Sequence, residues 1–265
     1  MRRFALISDI HGNLPALDAA LVDIETHGLG SATYCLGDLV GYGPDPAGVI
    51  ERIRSLDIST IRGNYDDGIG NRRGGCGCYY VTDQAKRDGV ASYVFTDGAL
   101  SDEDHQWLAA LPDEIRLEVE GLRVLLAHGS PRKINEYLLP DRTDAQLIRL
   151  AVQADADLVC VGHVHVPYHR AMTAADGRRI HYISSGSVGK PKDGDSRAGW
   201  VEVAIGSRDE ARALVTEDEA ASAAGDADTW VGAVVHRVAY DIDSVSEAMR
   251  AAGLPETLVE ALAHA

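Results

Sequence analysis

The sequence predicts an α/β protein with a largely parallel sheet. Short apolar runs alternate with helix-patterned segments in the order β-α-β-α-β from the amino terminus onward. Oxygen and nitrogen donors recur at the carboxyl ends of those runs, where open α/β sheets bind ligands. The chain is also long enough, at 265 residues with 45% apolar and 25% charged side chains, to bury a sizeable core.

The first strand is RFALISD, residues 3–9. LPALDAALVDIETHG follows as a helix, with Leu14, Leu17, Leu21 and Ile24 on one stripe, Asn13 as its cap and Gly28 as its stop. ATYCLGD is the second strand, AGVIERIRSL a short helix and ISTIRGN the third strand. The glycine-rich stretch 68–80 reads as loop, and 82–95 and 101–110 as helices, the second with Ser101 and Asp104 as a capping box. LRVLLAHG, TDAQLIRLAVQA and ADLVCVGHVH continue as strand, helix and strand. A hairpin is expected around Asp176-Gly177, then a strand in AGWVEVAIG. Residues 206–229 read as a helix or a mobile surface excursion, VGAVVHRVAYD as a late strand, and the remainder as helical turns. There are no repeats and no linker, so residues 1–265 are expected to form one domain, with 68–112 as a helical lid insertion.

The formal charge of -16 argues against nucleic-acid polymers, which need a basic footprint, and against anionic membranes. No signal peptide or membrane-length apolar run is visible, so the expected compartment is the cytoplasm. Cys35 and Cys160 read as buried thiols, and Cys76 and Cys78 as a pair of free loop thiols. His27, His105, His169, His181, His236 and His264 lie outside any motif and read as packing or surface residues.

The chemistry concentrates in five places. Asp9-x-His11 follows the first strand, where residues two apart would share a face. Gly37-Asp38, Gly63-Asn64, His128 and His163-x-His165 end later strands. The seven side chains Asp9, His11, Asp38, Asn64, His128, His163 and His165 are too many for one ion and suit two ions sharing a carboxylate. With no thiolate among them, manganese is the first expectation, and iron, zinc, cobalt or nickel also fit.

The motifs DIHGN, GDLVGYGPDP, RGNYDD, AHGSP and GHVH together resemble the calcineurin-like metallophosphoesterase superfamily, in particular its small bacterial phosphodiesterases and phosphatases. The resemblance implies a four-layer α/β/β/α sandwich of two mixed sheets flanked by helices. It implies one divalent metal ion on Asp9, His11, Asp38 and His165, and a second on Asp38, Asn64, His128 and His163. A hydroxide bridging the metals would attack phosphorus directly. The resemblance places Asp38, Asn64, Tyr65 and Asp66 in the catalytic group, with Asp66 holding its motif by hydrogen bonds. The family's third motif usually has a histidine where this chain has Tyr65, and a phenol is a weaker general acid near neutral pH. A phosphodiesterase acting on small phosphodiesters is therefore expected. The competing expectations are a phosphomonoesterase, acting on nucleotides or on protein serine/threonine phosphates, and a non-catalytic metal-binding scaffold. Arg62, Arg132 and Lys190 are expected to contact the substrate, with Lys133, Tyr137, Lys192 and Arg197 near the site mouth. The expected partner is a small phosphate ester, and a homodimer is compatible with the sequence.

Overall fold

Strand β1 (Arg2–Ile7) shows how the layers are built. Its residues alternate, so Phe4 and Leu6 point to one face and Ala5 and Ile7 to the other, and all four are buried. The computed structural model describes residues 1–213, 220–225 and 228–264. Among them, β1 sits inside a six-stranded sheet with β2 (Thr33–Cys35), β3 (Ser59–Thr60), β9 (Ala198–Gly206), β10 (Ala220–Gly225) and β11 (Trp230–Val238), in the order β10-β11-β9-β1-β2-β3. A second sheet holds β4 (Glu114–Val119), β5 (Leu122–Ala127), β6 (Leu158–Val161), β7 (Pro167–Thr173) and β8 (Arg179–Ser185), in the order β4-β5-β6-β8-β7.

Both sheets are mixed. β1, β2 and β3 run parallel, as do β5, β6 and β8, while β9, β10 and β11 in the first sheet and β4 and β7 in the second pair antiparallel. The largely parallel sheet expected from the alternation pattern is thus confined to one end of the first sheet, β1-β2-β3, and to the middle of the second, β5-β6-β8. Hairpins such as β7–β8, with Gly177 at φ 87 in its turn, supply the antiparallel edges.

Three apolar layers hold the sandwich. Phe4 and Leu6 meet Val124, Leu126, Leu158, Cys160 and Ile183 of the second sheet between the two sheets. Ala5, Ile7 and Trp200 pack under helix α1 (Leu14–Thr26) and helix α2 (Pro46–Ser55). Val159, Val161 and Tyr182 pack under α6 (Asp144–Gln153). The order is helix, sheet, sheet, helix, as the four-layer architecture requires. Each fully buried Leu or Ile contributes about 1.5–3 kcal/mol through burial.

The helix signals are local. The Asn13 side chain accepts from Ala16 N–H at the start of α1, and Ser101 and Asp104 form the capping box of α5 (Asp102–Ala110). Helix α4 (Asp83–Ala99) precedes it, and α3 (Asn64–Gly70) begins inside the segment read as the third strand. Strand β4 was not expected, although EIRLEV alternates charged and apolar residues at a strand period. Within 206–229, α7 (Arg208–Arg212) and β10 are ordered elements, and residues 214–219 and 226–227 lie outside the described residues. The C-terminal helices α8 (Ile242–Ala251) and α9 (Glu256–Ala263) pack on Tyr42 and Phe95. Among the described residues, no helix is long and apolar enough to cross a membrane.

Candidate metal centre

The seven donors expected from the sequence come together at the carboxyl ends of β1, β2, β5 and β6, with Asn64 at the start of α3. All seven are buried, none more than 3% exposed. One donor atom each from Asp9, His11 and His165 lie within 4.8 Å of one another, and so do those from Asp38, His128 and His163. Asn64 joins the second group, its Oδ1 3.0 Å from His128 Nε2.

Asp38 stands between the groups. Its Oδ2 lies 3.8 Å from His11 Nε2 and its Oδ1 3.5 Å from His128 Nε2. The Tyr65 backbone N–H donates to Oδ1 at 2.8 Å. The Asp66 carboxylate accepts from the backbone N–H groups of Asp38, Leu39 and Gly63 at 2.8, 2.9 and 2.9 Å. Asp66 therefore clamps the loop after β2 to the start of α3. No side chain fits at residue 63: a Cβ there would lie 2.1 Å from Asp38 N and Oδ1.

The donors are aimed by strained loops rather than by strand faces. β1 ends at Ile7 and β6 at Val161, so neither Asp9 and His11 nor His163 and His165 lie on a strand, and the two-apart, same-face argument does not apply. Instead Asp9, His11, Asp38, His163 and His165 all have φ between 51 and 67, the left-handed region that costs non-glycine residues free energy and clusters at functional sites.

Hydrogen bonding selects which imidazole nitrogen faces the cluster. The Nδ1 atoms of His11, His128 and His165 lie 3.0, 2.7 and 2.5 Å from the carbonyls of Val40, Leu36 and Lys190. Each Nδ1 thus carries a hydrogen, and each Nε2 is the ring nitrogen turned toward the cluster. Asn64 is oriented likewise, its Nδ2 donating to the Cys76 carbonyl and Cys78 Sγ at 3.1 and 3.2 Å.

Burial holds His11 and His163 down to about 3, and a second imidazole beside each acts the same way, so both are neutral. For His128 burial also lowers the pKa, but the Asp38 carboxylate outweighs it and lifts the group to about 9. Burial alone would raise Asp9 and Asp38; His165 beside the first and His128 beside the second hold both below the usual carboxylate range. For Asp66, burial and the Asp38 charge push upward and the N–H donors pull the other way, with a net rise.

This arrangement fits metal ions. Asp9 Oδ1 and His163 Nε2 are buried without a hydrogen-bond partner, while Asp9 Oδ2 is satisfied by the Ser8 hydroxyl and the His163 N–H. His11 and His165 turn their Nε2 atoms to 3.2 Å from each other. Buried lone pairs facing one another are costly unless a cation sits among them.

The residues expected to meet substrate fare differently. Arg62 is a strut: its guanidinium donates to the Ala109 carbonyl at 2.7 Å and pairs with Asp113, with Asp67 3.7 Å away. Arg132 forms a two-pronged pair with Glu136 at 2.8 and 2.7 Å. Both nevertheless line a cavity of about 340 Å³ beside His128, with Arg73 and Lys133. Lys190 places its ammonium 5.1 Å from the Tyr42 ring centre, and burial, with Lys192 nearby, lowers it to about 8. Tyr65 is buried behind His11, ring centres 5.5 Å apart, with its hydroxyl 3.5 Å from Ser92 Oγ. Burial, followed by Tyr42 and Tyr80, pushes that phenol well above 10, so the group it presents to the cluster is its backbone N–H.

In the segment 68–112, the loop after α3 reaches Asn64 through Cys76 and Cys78, and Asn135 donates to the Gly77 carbonyl at 2.8 Å. Cys76 and Cys78, expected as free thiols, are joined by a disulfide, their Cα atoms 5.4 Å apart. Cys35 and Cys160 are free and buried, as expected. Tyr137 lies against His163 with ring centres 4.1 Å apart. One cluster had no motif: Asp23, His27 and His236 also place donor atoms within 4.8 Å of one another. The Asp23–His27 spacing of one helical turn was legible, whereas the partner on β11 was not.

Residues 2–206 match the model of the calcineurin-like phosphoesterase superfamily domain. An uncharacterised protein of Methanocaldococcus jannaschii is 34% identical over 208 residues, covering 74% of this chain and 80% of its own. A metallophosphoesterase crystal structure from Sphaerobacter thermophilus aligns over 99% of both chains at 30% identity and a TM-score of 0.68. The structure of a hypothetical protein from Pyrococcus horikoshii shares the fold over 100% of this chain and 98% of its own, at 23% identity and a TM-score of 0.75.

Proposed function

From a chain that belongs to the calcineurin-like phosphoesterase superfamily, we infer a phosphoesterase that works with two divalent metal ions, manganese by preference, and acts on small phosphodiesters. The observation that carries the reading is Asp38, which offers one oxygen to each of two donor groups. Asp9, His11 and His165 would hold one ion, and Asn64, His128 and His163 the other. Bound there, the pair would neutralise phosphoryl oxygens and lower the pKa of water toward neutrality.

The chain's own residues supply orientation. Asp66 fixes Asp38 through backbone N–H groups, and the carbonyls of Val40, Leu36 and Lys190 fix three imidazoles. The cavity beside His128 would admit the ester. Arg62 and Arg132 carry carboxylate partners already, so they would shape its potential more than grip the phosphate.

The preference for diesters rests on Tyr65. Its neutral phenol meets Ser92 and leaves the position after Asn64 without an efficient proton donor for a basic leaving group. Esters whose leaving group departs without protonation would react best. The test compares bis(p-nitrophenyl) phosphate with p-nitrophenyl phosphate on protein stripped by chelator and reloaded with manganese. Faster diester cleavage supports the reading, monoester preference favours a phosphatase, and no turnover of either favours a binding scaffold.

A further inference from the structure

The cluster of Asp23, His27 and His236 lies on the helix-covered face of the first sheet, ten residues along from Asn13, or about 15 Å of helix. The sheet register builds it. His236 of β11 pairs across the ladder with Trp200 of β9, and their rings stack 4.0 Å apart at 11°. Trp200 is fully buried, and its indole N–H donates to Asp23 Oδ2 at 2.8 Å. His27 brings its ring to 4.5 Å from that of His236.

The pattern repeats the tautomer logic of the strand-end centre. His27 Nδ1 lies 2.8 Å from the Asp23 carbonyl, with the Thr26 hydroxyl at 3.3 Å, which leaves Nε2 as the lone-pair nitrogen. His236 is 8% exposed, and its Nε2 faces Glu202 Oε2 at 3.4 Å. The other Glu202 oxygen is taken by Arg3 at 2.5 Å. Two imidazoles and a carboxylate thus place donor atoms within 4.8 Å of one another at a half-open position, and Glu202 beside His236 Nε2 can take the hydrogen of that nitrogen, which leaves Nδ1 for an ion.

We propose that Asp23, His27 and His236 form a separate site for one borderline divalent transition-metal ion, of the zinc and cobalt class. The N, N, O donor set suits that class, and the open side leaves room for water ligands. An ion there would tie the end of α1 to β11. It takes no part in phosphoester cleavage.

The test counts zinc bound to chelator-stripped protein by equilibrium dialysis. His27→Gln and Asp23→Asn should each bind one equivalent fewer than wild type and keep the wild-type diester turnover. In Asp38→Asn, which keeps the Asp9, His11 and His165 donors, cobalt titration should show one more absorbing equivalent than in the same variant carrying His27→Gln as well. The metal-free melting temperatures of the variants, compared with wild type, separate lost binding from lost folding; His27 and Asp23 are about a third exposed, so little change is expected. Unchanged zinc stoichiometry and affinity in both single variants, or equal cobalt absorption in Asp38→Asn with and without His27→Gln, would overturn the proposal.

Discussion

The Asp66 carboxylate receives the backbone N–H of Asp38 at 2.8 Å and, through the same oxygen, that of Gly63 at 2.9 Å. One buried side chain therefore sets the position of the residue shared by both donor groups. Removing it leaves three buried N–H groups unpaired, each costing about 1–3 kcal/mol. Asp66→Ala should melt well below wild type. Asp66→Asn, which keeps one acceptor oxygen, should fold better but bind manganese about 10–100-fold more weakly. Calorimetric melting and metal titration read the two effects.

Gly63→Ala forces a Cβ against Asp38 N and Oδ1, with a contact of 2.1 Å. Both neighbours belong to the centre, so the strain falls on it. The expected loss is about 1–3 kcal/mol of stability together with weaker metal binding. Unchanged metal affinity in a folded Gly63→Ala protein would show that Asp38 tolerates displacement.

Metal removal should destabilise the fold. Asp9 Oδ1 and His163 Nε2 are buried without partners, and a ligand that binds only the folded state stabilises it. At a manganese concentration about 100 times the dissociation constant, the gain is about 2.7 kcal/mol. A melting temperature that rises with manganese and falls on adding chelator, with a smaller rise in Asp38→Asn, is the expected result.

Glu202 gives the acid limb of the stability profile. Burial alone would raise it, but His236 and Arg3 hold it at about 2, below its usual 4.5. Its contribution is therefore complete above pH 4.5 and is lost as pH falls toward 2. Glu202→Gln should flatten the dependence of unfolding free energy on pH in that window, measured by urea melts at successive pH values.

Much of the centre was legible because its donors follow apolar runs, and apolar runs followed by glycine-flanked polar residues are local signals. Their aim was not legible: the left-handed φ of Asp9, His11, Asp38, His163 and His165 depends on loops that meet only in the folded chain. Tyr65 and Arg62 were read from motif position alone, which does not reveal that Ser92 and Asp113 would claim them. The alternation of charged and apolar residues in β4 is a local signal legible in EIRLEV. In the small-residue strand β10, Ala221 to Gly225 carry little strand propensity, and pairing with β11 decides its form. The pairing of His236 with Asp23 and His27 spans about two hundred residues and leaves no trace in spacing.

The most direct measurement is the electron paramagnetic resonance spectrum of stripped protein titrated with manganese. Asp38 shared between two ions should give an exchange-coupled spectrum that grows in with the second equivalent, and Asp38→Asn should show only uncoupled ions. Uncoupled six-line signals from wild type at every loading would contradict a shared carboxylate, and with it the two-ion account of the site.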